Sequence, residues 1–179
     1  MATPTEILKH EHQIILLVLD AAEREVQRSG ETGQVRTEDV AKMVDLLRNF
    51  ADRCHHAKEE DLLFVKMQER GFSASSGPIA VMLQEHNEGR RRVKAVADGL
   101  AGAAAGDPAA IAQVRDNLAA YAQLLRAHIA KENNILYPMA DQALTPDDQQ
   151  ALAAAFDRVE AEEMGAGVHE KYDRLAHEL

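Results

Sequence analysis

Residues 55–64 read HHAKEEDLLF and residues 128–137 read HIAKENNILY. Each stretch has a histidine followed four positions later by a glutamate, and on an α-helix these two side chains lie on one face, one turn apart. A further histidine precedes each stretch at nearly the same distance, His12 in the first case and His86 in the second. This internal repeat predicts a duplicated helical hairpin with two equivalent sets of metal ligands, which favours two metal ions over one.

The composition favours an all-α fold in one domain with its own hydrophobic core. Of the 179 residues, 46% are hydrophobic but only 4% are aromatic, and tryptophan is absent. Many of the apolar residues are alanines, which favour close-packed helices over sheets rich in β-branched and aromatic side chains. At this length the chain suits one domain, or one domain with a small extension.

The charge and the cysteine content exclude several classes of protein. A formal net charge of −10 repels phosphate backbones and anionic membrane surfaces. No apolar run approaches the ~20 residues that a membrane span needs, and Cys54 stands alone, so an internal disulfide is impossible. We therefore expect a cytoplasmic protein that binds neither nucleic acid nor membranes. The composition indicates no particular oligomeric state.

Helix-start signals of the Thr-Pro, Asp-Pro and Ser-Gly-Pro type divide the chain into five helical parts. We expect helices at residues 4–28, 38–69, 78–101 and 108–142, and a helical segment from about 146. The turns between them are short, which favours antiparallel neighbours. The prediction is an up-down-up-down four-helix bundle over 1–145 with a C-terminal helical extension, 146–179, packed on it and interrupted near Gly165-Ala-Gly167.

Apolar residues spaced by three and four give each predicted helix one inward face. In the fourth helix this face includes Tyr121, His128, Glu132 and Ile135. Every inward face carries a histidine, and two carry a glutamate as well. Counted along antiparallel helices, these residues reach one level near one end of the bundle. The predicted metal ligands are His12, His55, Glu59, His86, His128 and Glu132.

Burial energetics support a metal centre at these six residues. Buried carboxylates and imidazoles each cost several kcal/mol if they are left unpaired, and we expect no lysine or arginine on the inward faces beside them. Two divalent cations would keep the glutamates ionised and the imidazoles neutral. The mixture of nitrogen and oxygen ligands leans towards iron, with manganese or zinc as possible substitutes.

Residues next to the predicted ligands receive simpler interpretations. We expect His10, His56 and Glu60 at the surface, since they fall about 100° round the helix from the inward face. Cys54 is expected to be a small buried residue and Tyr121 a packing residue. Two other questions stay open from the sequence: whether Glu11 and Glu85 orient ligands or are solvated, and whether His169 or Tyr172 reaches an open coordination position or serves only in docking.

The pattern resembles the hemerythrin-like, HHE cation-binding family of bacterial type. The resemblance rests on Glu11-His12, the His-x-x-x-Glu of residues 55–59, Glu85-His86 and the His-x-x-x-Glu of residues 128–132, and it covers roughly residues 5–142. It implies a di-iron centre bridged by the two glutamates and by an oxo or hydroxo group. It departs from classical oxygen carriers, which have a further third-helix histidine where this chain has Arg90, and from cluster-repair proteins, which have an additional cysteine-bearing N-terminal domain.

Three functions follow from this reading. The leading one is a non-haem di-iron protein that binds or reacts with dioxygen, NO or peroxide in oxygen or redox sensing, scavenging or storage. The alternative is an enzyme acting on peroxide or NO, or an iron donor in iron–sulfur cluster repair, and the sequence does not decide whether the chain is an enzyme. The third is a helical interaction module whose ligands no longer bind metal.

Overall fold

The computed structural model describes residues 2–164 and 167–179. In these ranges the chain is helical and contains no strand, which confirms the all-α prediction. The α-helices are α1 (Pro4–Thr32), α2 (Thr37–Leu46), α3 (Phe64–Glu69), α4 (Gly77–Ala104), α5 (Pro108–Lys131), α6 (Tyr137–Ala143), α7 (Pro146–Val159) and α8 (Val168–Glu178). Four π-helical segments, which have the wider i to i+5 hydrogen bonding, are π1 (Leu47–His56), π2 (Lys58–Leu63), π3 (Glu132–Leu136) and π4 (Glu160–Met164).

Several helix starts are capped as the sequence predicts. Thr3 accepts a hydrogen bond from the backbone N–H of Glu6, whose carboxylate accepts the N–H of Thr3 in return. Thr145 and Asp148 form the same reciprocal box at the start of α7, and Asp107 caps α5. Each box satisfies N–H groups that the first turn leaves without partners.

The π segments are continuous with the α-helices beside them, because the residues at the junctions keep right-handed helical backbone angles. The chain from Thr37 to Glu69 is therefore one long helix, and so is the chain from Pro108 to Ala143, as predicted. α4 packs along α5, and α1 also packs along α5. The up-down-up-down order of four helices stays a prediction, since the chain divides into more segments than four plus one.

The π turns shift the inward face by one position. Ile135, predicted to face inward, is 53% exposed, whereas Leu136 and Tyr137 are buried. In the other half of the repeat, Leu62 is half-buried and Leu63 takes the core position. A π turn holds more residues than an α turn, so an α-helical spacing goes out of phase beyond it. The prediction for Ile135 was wrong for this reason.

Two hydrophobic clusters fill the interior on either side of a polar layer. The larger contains residues such as Ile15, Phe50 and Leu118, and the smaller contains residues such as Leu8 and Phe64. The six predicted ligands fall between these clusters along each helix. The bundle therefore shields them from solvent at both ends.

The C-terminal segment contributes to both clusters. Phe156 of α7 packs in the smaller one, and Tyr172 of α8 packs in the larger one. The predicted interruption falls partly outside the described residues, at Gly165 and Ala166; Gly167 has a φ of 81°, in the left-handed region, just before α8. Over the described ranges, every helix falls short of the length and apolarity that crossing a bilayer requires.

Candidate metal centre

All six predicted ligands meet in the interior, and each is 1% exposed or less. Glu132 of π3 lies between two of the histidines. Its Oε2 is 3.2 Å from Nε2 of His12, and its Oε1 is 2.9 Å from Nε2 of His128. The His-x-x-x-Glu spacing thus places one imidazole beside its own carboxylate, while α1 supplies the other from across the bundle.

Glu59 of π2 has the equivalent place in the other half of the repeat. Its Oε2 is 3.3 Å from Nε2 of His86 and 3.8 Å from Nε2 of His55. Each glutamate is therefore approached by the histidine of its own helix and by a histidine of another helix. All four imidazoles turn the same nitrogen, Nε2, towards the two carboxylates.

The outer nitrogens of His55 and His128 are held by the glutamates that precede His12 and His86 in the sequence. Nδ1 of His55 is 2.8 Å from Oε2 of Glu11, and Nδ1 of His128 is 2.9 Å from Oε2 of Glu85. A carboxylate partner fixes the proton on Nδ1 and leaves the Nε2 lone pair facing inward. Glu11 and Glu85 therefore orient ligands, which resolves the question that the sequence left open.

The outer nitrogens of His12 and His86 are held by the residues that follow the two central glutamates. Nδ1 of His86 is 2.6 Å from Oε1 of Glu60, and Nδ1 of His12 is 2.9 Å from Oδ1 of Asn133. The hydrogen-bonding pattern is thus repeated in both halves. It orients four imidazoles so that each turns Nε2 towards one small volume, as the histidines of metal sites do.

A buried lysine stands beside the centre, contrary to the expectation that the inward faces have none. Nζ of Lys58 contacts Oε1 of Glu11 and lies 2.6 Å from Oε1 of Glu160, and its side chain has no exposed surface. Burial alone would raise the pKa of the Glu11 carboxyl, but His55 and Lys58 more than offset this and lower the pKa to about 2. The lysine therefore neutralises an outer carboxylate and leaves the two central ones without a cation.

In the part of the chain that the structure describes, three of the four oxygens of the central carboxylates have no hydrogen-bond partner. Oε2 of Glu59 and both oxygens of Glu132 are buried and unpartnered, and only Oε1 of Glu59 accepts a hydrogen bond, 2.6 Å from the hydroxyl of Tyr137. Buried carboxylates of this kind are costly unless a cation balances them. Elsewhere in the fold, a buried carboxylate is balanced by the chain itself: Glu25 is paired with Arg28 at 2.7 Å and with Arg36 at 2.8 Å.

Two histidines also require a positive charge between them. Nε2 of His86 is 3.0 Å from Nε2 of His128 while each Nδ1 is hydrogen-bonded to a carboxylate, so a proton or another cation must lie between the two Nε2 atoms. Burial lowers the pKa of His86, but the carboxylates of Glu132, Glu59 and Glu60 outweigh it and raise the pKa to about 11. The site therefore attracts positive charge strongly, and the donor set fits divalent cations.

The ligand atoms form two groups, each compact enough for one ion. Within each group, one atom per residue lies within 4.8 Å of every other. The first group is His12, His55, Glu59 and Glu132; the second is His56, Glu59, His86 and His128. Glu59 is common to both groups, and Glu132 contacts one histidine of each, so both glutamates can bridge.

His56 and Glu60 do not lie at the surface, and those predictions were wrong. His56 is 5% exposed, and its ring stacks on that of His86 with centroids 3.8 Å apart. Glu60 is half-buried against His86. Because π1 and π2 advance each residue through a smaller angle than an α-helix does, residues next to the inward face turn inward with it. His10 is exposed, as predicted.

Tyr137 contacts the candidate site, and the sequence reasoning missed it. Besides its bond to Glu59, its hydroxyl is 3.4 Å from Nε2 of His12. In the internal repeat Tyr137 is equivalent to Phe64. The two positions differ only by the tyrosine hydroxyl, and this difference is the signal that could have identified Tyr137. Tyr121 packs in the larger hydrophobic cluster and against Gly89, as predicted.

The remaining candidates lie outside the two ligand groups. The hydroxyl of Tyr172 donates to Asp45 at 3.1 Å, and the ring of His169 packs edge-on to Phe50 with centroids 5.3 Å apart. Cys54 is fully buried, and burial raises the pKa of its thiol to about 12, so it serves as a small core residue.

Comparison with known proteins agrees with this geometry. The model of the hemerythrin HHE cation-binding domain matches residues 3–140. Uncharacterized proteins of Mycobacterium tuberculosis and Mycobacterium bovis are each 23% identical over 97% of this chain and 68% of their own length. The iron-sulfur cluster repair protein YtfE of Edwardsiella ictaluri is 32% identical over 74% of this chain and 59% of its own length. No solved structure matched. The family model covers most of the chain and both ligand groups, and the chain therefore belongs to the hemerythrin HHE cation-binding domain family.

Proposed function

We propose that this chain is a non-haem di-iron protein that binds or reacts with dioxygen, NO or peroxide. The observation that carries the proposal is the buried set of unpartnered carboxylate oxygens, Oε2 of Glu59 and both oxygens of Glu132, facing four inward Nε2 atoms. A fold stabilised by only ~5–15 kcal/mol does not retain two such carboxylates without compensation. Two divalent cations supply that compensation.

The ligand groups support one ion on each side of the shared glutamates. His12 and His55 would hold one ion and His86 and His128 the other, and Glu59 and Glu132 lie where each could contribute to both. Iron is the preferred metal because imidazole and carboxylate together suit it, and manganese or zinc can substitute. When bound, iron provides redox chemistry and coordination positions for a small exogenous ligand.

The residues of the chain prepare the site for that chemistry. The outer acceptors hold each imidazole in one orientation, which lowers the cost of organising the ligands when metal binds. Tyr137 holds one oxygen of Glu59 and leaves the other for metal. The hydrophobic clusters on both sides exclude water, which favours the binding of small apolar molecules such as dioxygen and NO.

Anaerobic reconstitution with ferrous iron tests the proposal. We expect two iron atoms per chain by elemental analysis and near-ultraviolet charge-transfer absorption after exposure to air. The variant with both Glu59→Gln and Glu132→Gln should retain the fold and bind no iron, because the amides satisfy burial without a cation. Wild-type protein that retains no iron, or only one atom, would refute the di-iron assignment. Wild-type protein that retains no iron at all would instead favour an interaction module with vestigial ligands.

A second candidate function is iron donation in iron–sulfur cluster repair, with enzymatic turnover of peroxide or NO as a related activity. The observation that favours it is the similarity to the cluster repair protein YtfE. Mixing the iron-loaded chain with a protein whose cluster has been damaged by NO should then restore that cluster stoichiometrically. Gas evolution from peroxide without cluster recovery would favour the enzyme instead. Both signals should disappear in the double glutamate variant.

A further inference from the structure

A cavity of about 430 Å³ lies between π1 and α4, beside the candidate metal centre. The six predicted ligands are not part of its wall. Its volume falls within the ~300–1,000 Å³ that is usual for pockets that bind small organic molecules. The buried part of the wall is mostly apolar and is formed largely by Leu47, Gly89, Val93, Tyr121 and Leu125. The cavity therefore suits the apolar body of a small molecule.

The hydroxyl of Tyr121 is the feature of this wall that points to a ligand. Tyr121 is 3% exposed, and its hydroxyl forms no hydrogen bond with any residue that the structure describes. In the same part of the chain, the fully enclosed side-chain atoms without a partner belong to Glu59 and Glu132, so the Tyr121 hydroxyl borders the open space of the cavity. A buried hydroxyl without a partner costs ~1–3 kcal/mol. A bound molecule with an acceptor atom would remove that cost.

The two carboxylates in the wall are already balanced by the chain. Asp52 accepts a hydrogen bond from Arg90 at 2.8 Å. Glu85 contacts Lys131, and its other oxygen is 2.9 Å from Nδ1 of His128. Because both carboxylates have cationic or imidazole partners of their own, the cavity does not favour a ligand with a positive charge.

Three exposed basic side chains, Arg48, Arg53 and Lys94, also line the cavity. Among the described residues, Arg48 has no ion-pair partner. Lys94 pairs with the exposed Asp98 at 2.5 Å, and a pair of this kind contributes only ~0–1 kcal/mol, so a ligand can replace Asp98. In a chain with a net charge of −10, this local excess of positive charge favours an anionic group on the ligand.

We propose that the cavity binds a small apolar monocarboxylate. Its apolar body packs on Leu47, Val93 and Leu125. Its carboxylate accepts from the hydroxyl of Tyr121, and the long side chains of Arg48 and Lys94 close over the charge. One carboxylate provides the single acceptor group and the single negative charge for which the wall has partners, and inorganic anions have no apolar body to fill the remaining volume.

Titration of the protein as purified with octanoate, followed by methyl NMR, tests the proposal. Octanoate should bind at one saturable site and shift the methyl signals of Leu47, Val93 and Leu125. Octanamide has the same chain without the charge and should bind about 10-fold more weakly, since it loses two exposed ionic contacts. Acetate has the charge without the chain and should give no saturable shift.

Two variants separate the contributions of charge and hydroxyl. Arg48→Gln with Lys94→Gln should weaken octanoate by about 10-fold and leave octanamide unchanged. The matched control is Lys42→Gln with Arg91→Gln, which removes the same charge from the same two helices at exposed positions outside the cavity wall. Tyr121→Phe should weaken octanoate by about 5-fold without lowering the melting temperature, because its hydroxyl bonds to none of the described residues.

Several results would overturn the proposal: no saturable binding of octanoate, equal affinities for octanoate and octanamide, or equal losses in the Arg48 and Lys94 variant and its control. A change in the near-ultraviolet absorption of the iron-loaded protein without shifts of the cavity methyl signals would also overturn it, because octanoate would then bind at the metal. Each of these results leaves the di-iron proposal standing, since the cavity wall includes none of the six predicted ligands.

Discussion

The two halves of the repeat hold the outer nitrogens of their histidines in closely similar ways around the candidate metal centre, but their environments differ. In the first half Lys58 contacts Glu11, and in the second half Lys131 contacts Glu85. The Lys58 side chain has no exposed surface, whereas that of Lys131 is 37% exposed. The repeated pattern thus sets where each side chain points, and the segment packed over a charged pair sets how strongly its two charges interact.

The C-terminal segment causes this difference. Glu160 of π4 accepts from Lys58, and the ring of Phe156 in α7 lies 5.8 Å from its ammonium group. In the described residues, no equivalent segment covers Lys131. The Lys58–Glu11 pair is therefore shielded from water, whereas the Lys131–Glu85 pair is partly exposed to it.

Replacing each lysine with methionine should give the largest difference in stability between the two halves. In the metal-free protein, Lys58→Met leaves Glu11 buried without its cation and should lower the free energy of unfolding by ~3–5 kcal/mol. Lys131→Met removes a partly exposed pair and should cost about 0–1 kcal/mol. Urea unfolding followed by circular dichroism measures both.

A compensating variant makes this test specific. Adding Glu11→Gln to Lys58→Met removes the unpaired charge and should recover most of the lost stability, because a neutral amide costs less to bury. Equal losses for the two single lysine variants would show that burial by the C-terminal segment does not matter.

A smaller effect at Glu11 should appear in how the free energy of unfolding depends on pH. Its pKa is lowered from the ordinary 4.5 to about 2, because burial raises the pKa but contacts with His55 and Lys58 lower it by more. A depressed pKa contributes stability that is complete above pH 4.5 and is lost as the pH falls through about 2. The shift corresponds to about 3 kcal/mol.

The stability difference between wild type and Glu11→Gln in the metal-free state should therefore be constant from pH 7 to 4.5 and shrink towards pH 2. Urea unfolding at a series of pH values gives this difference directly. Parallel stability curves over the whole range would contradict the prediction.

Tyr137 gives the smallest of the three effects, since it adds one hydroxyl to the position that Phe64 has in the other half. Tyr137→Phe removes the only donor to Glu59 among the described residues and should destabilise the metal-free protein by ~1.5–3 kcal/mol. Tyr172→Phe is the control, because its hydroxyl donates to the exposed Asp45. We expect thermal unfolding of the control to change by a few degrees at most, and equal shifts in both variants would count against a special role for Tyr137.

Much of the fold and of the candidate site could be predicted because it depends on local patterns. Capping boxes and Pro residues mark where helices begin, and a spacing of three and four residues marks their inward faces. The His-x-x-x-Glu pairs sit less than one and a half turns apart, so their mutual position depends little on the rest of the chain. The six ligands proposed from the sequence are the residues that the fold brings together.

Other features could not be predicted because they depend on where a helix changes from α to π geometry and on which segments pack over a side chain. The π turns moved Ile135 outward and His56 inward, and the periodicity of the sequence gives no sign of where an i to i+5 turn replaces an i to i+4 turn. The burial of Lys58 depends on Glu160 and Phe156, which are about a hundred positions away.

The sequence alone therefore determined the all-helical class, the internal repeat and the identity of the converging histidines and glutamates, because these follow from spacing along single helices. The packing of the helices against one another determines which carboxylates a lysine neutralises and which have no cation nearby. It also brought His56 towards the centre. Such charges and contacts depend on distances between helices far apart in the sequence and on the exclusion of water by the segments packed over them.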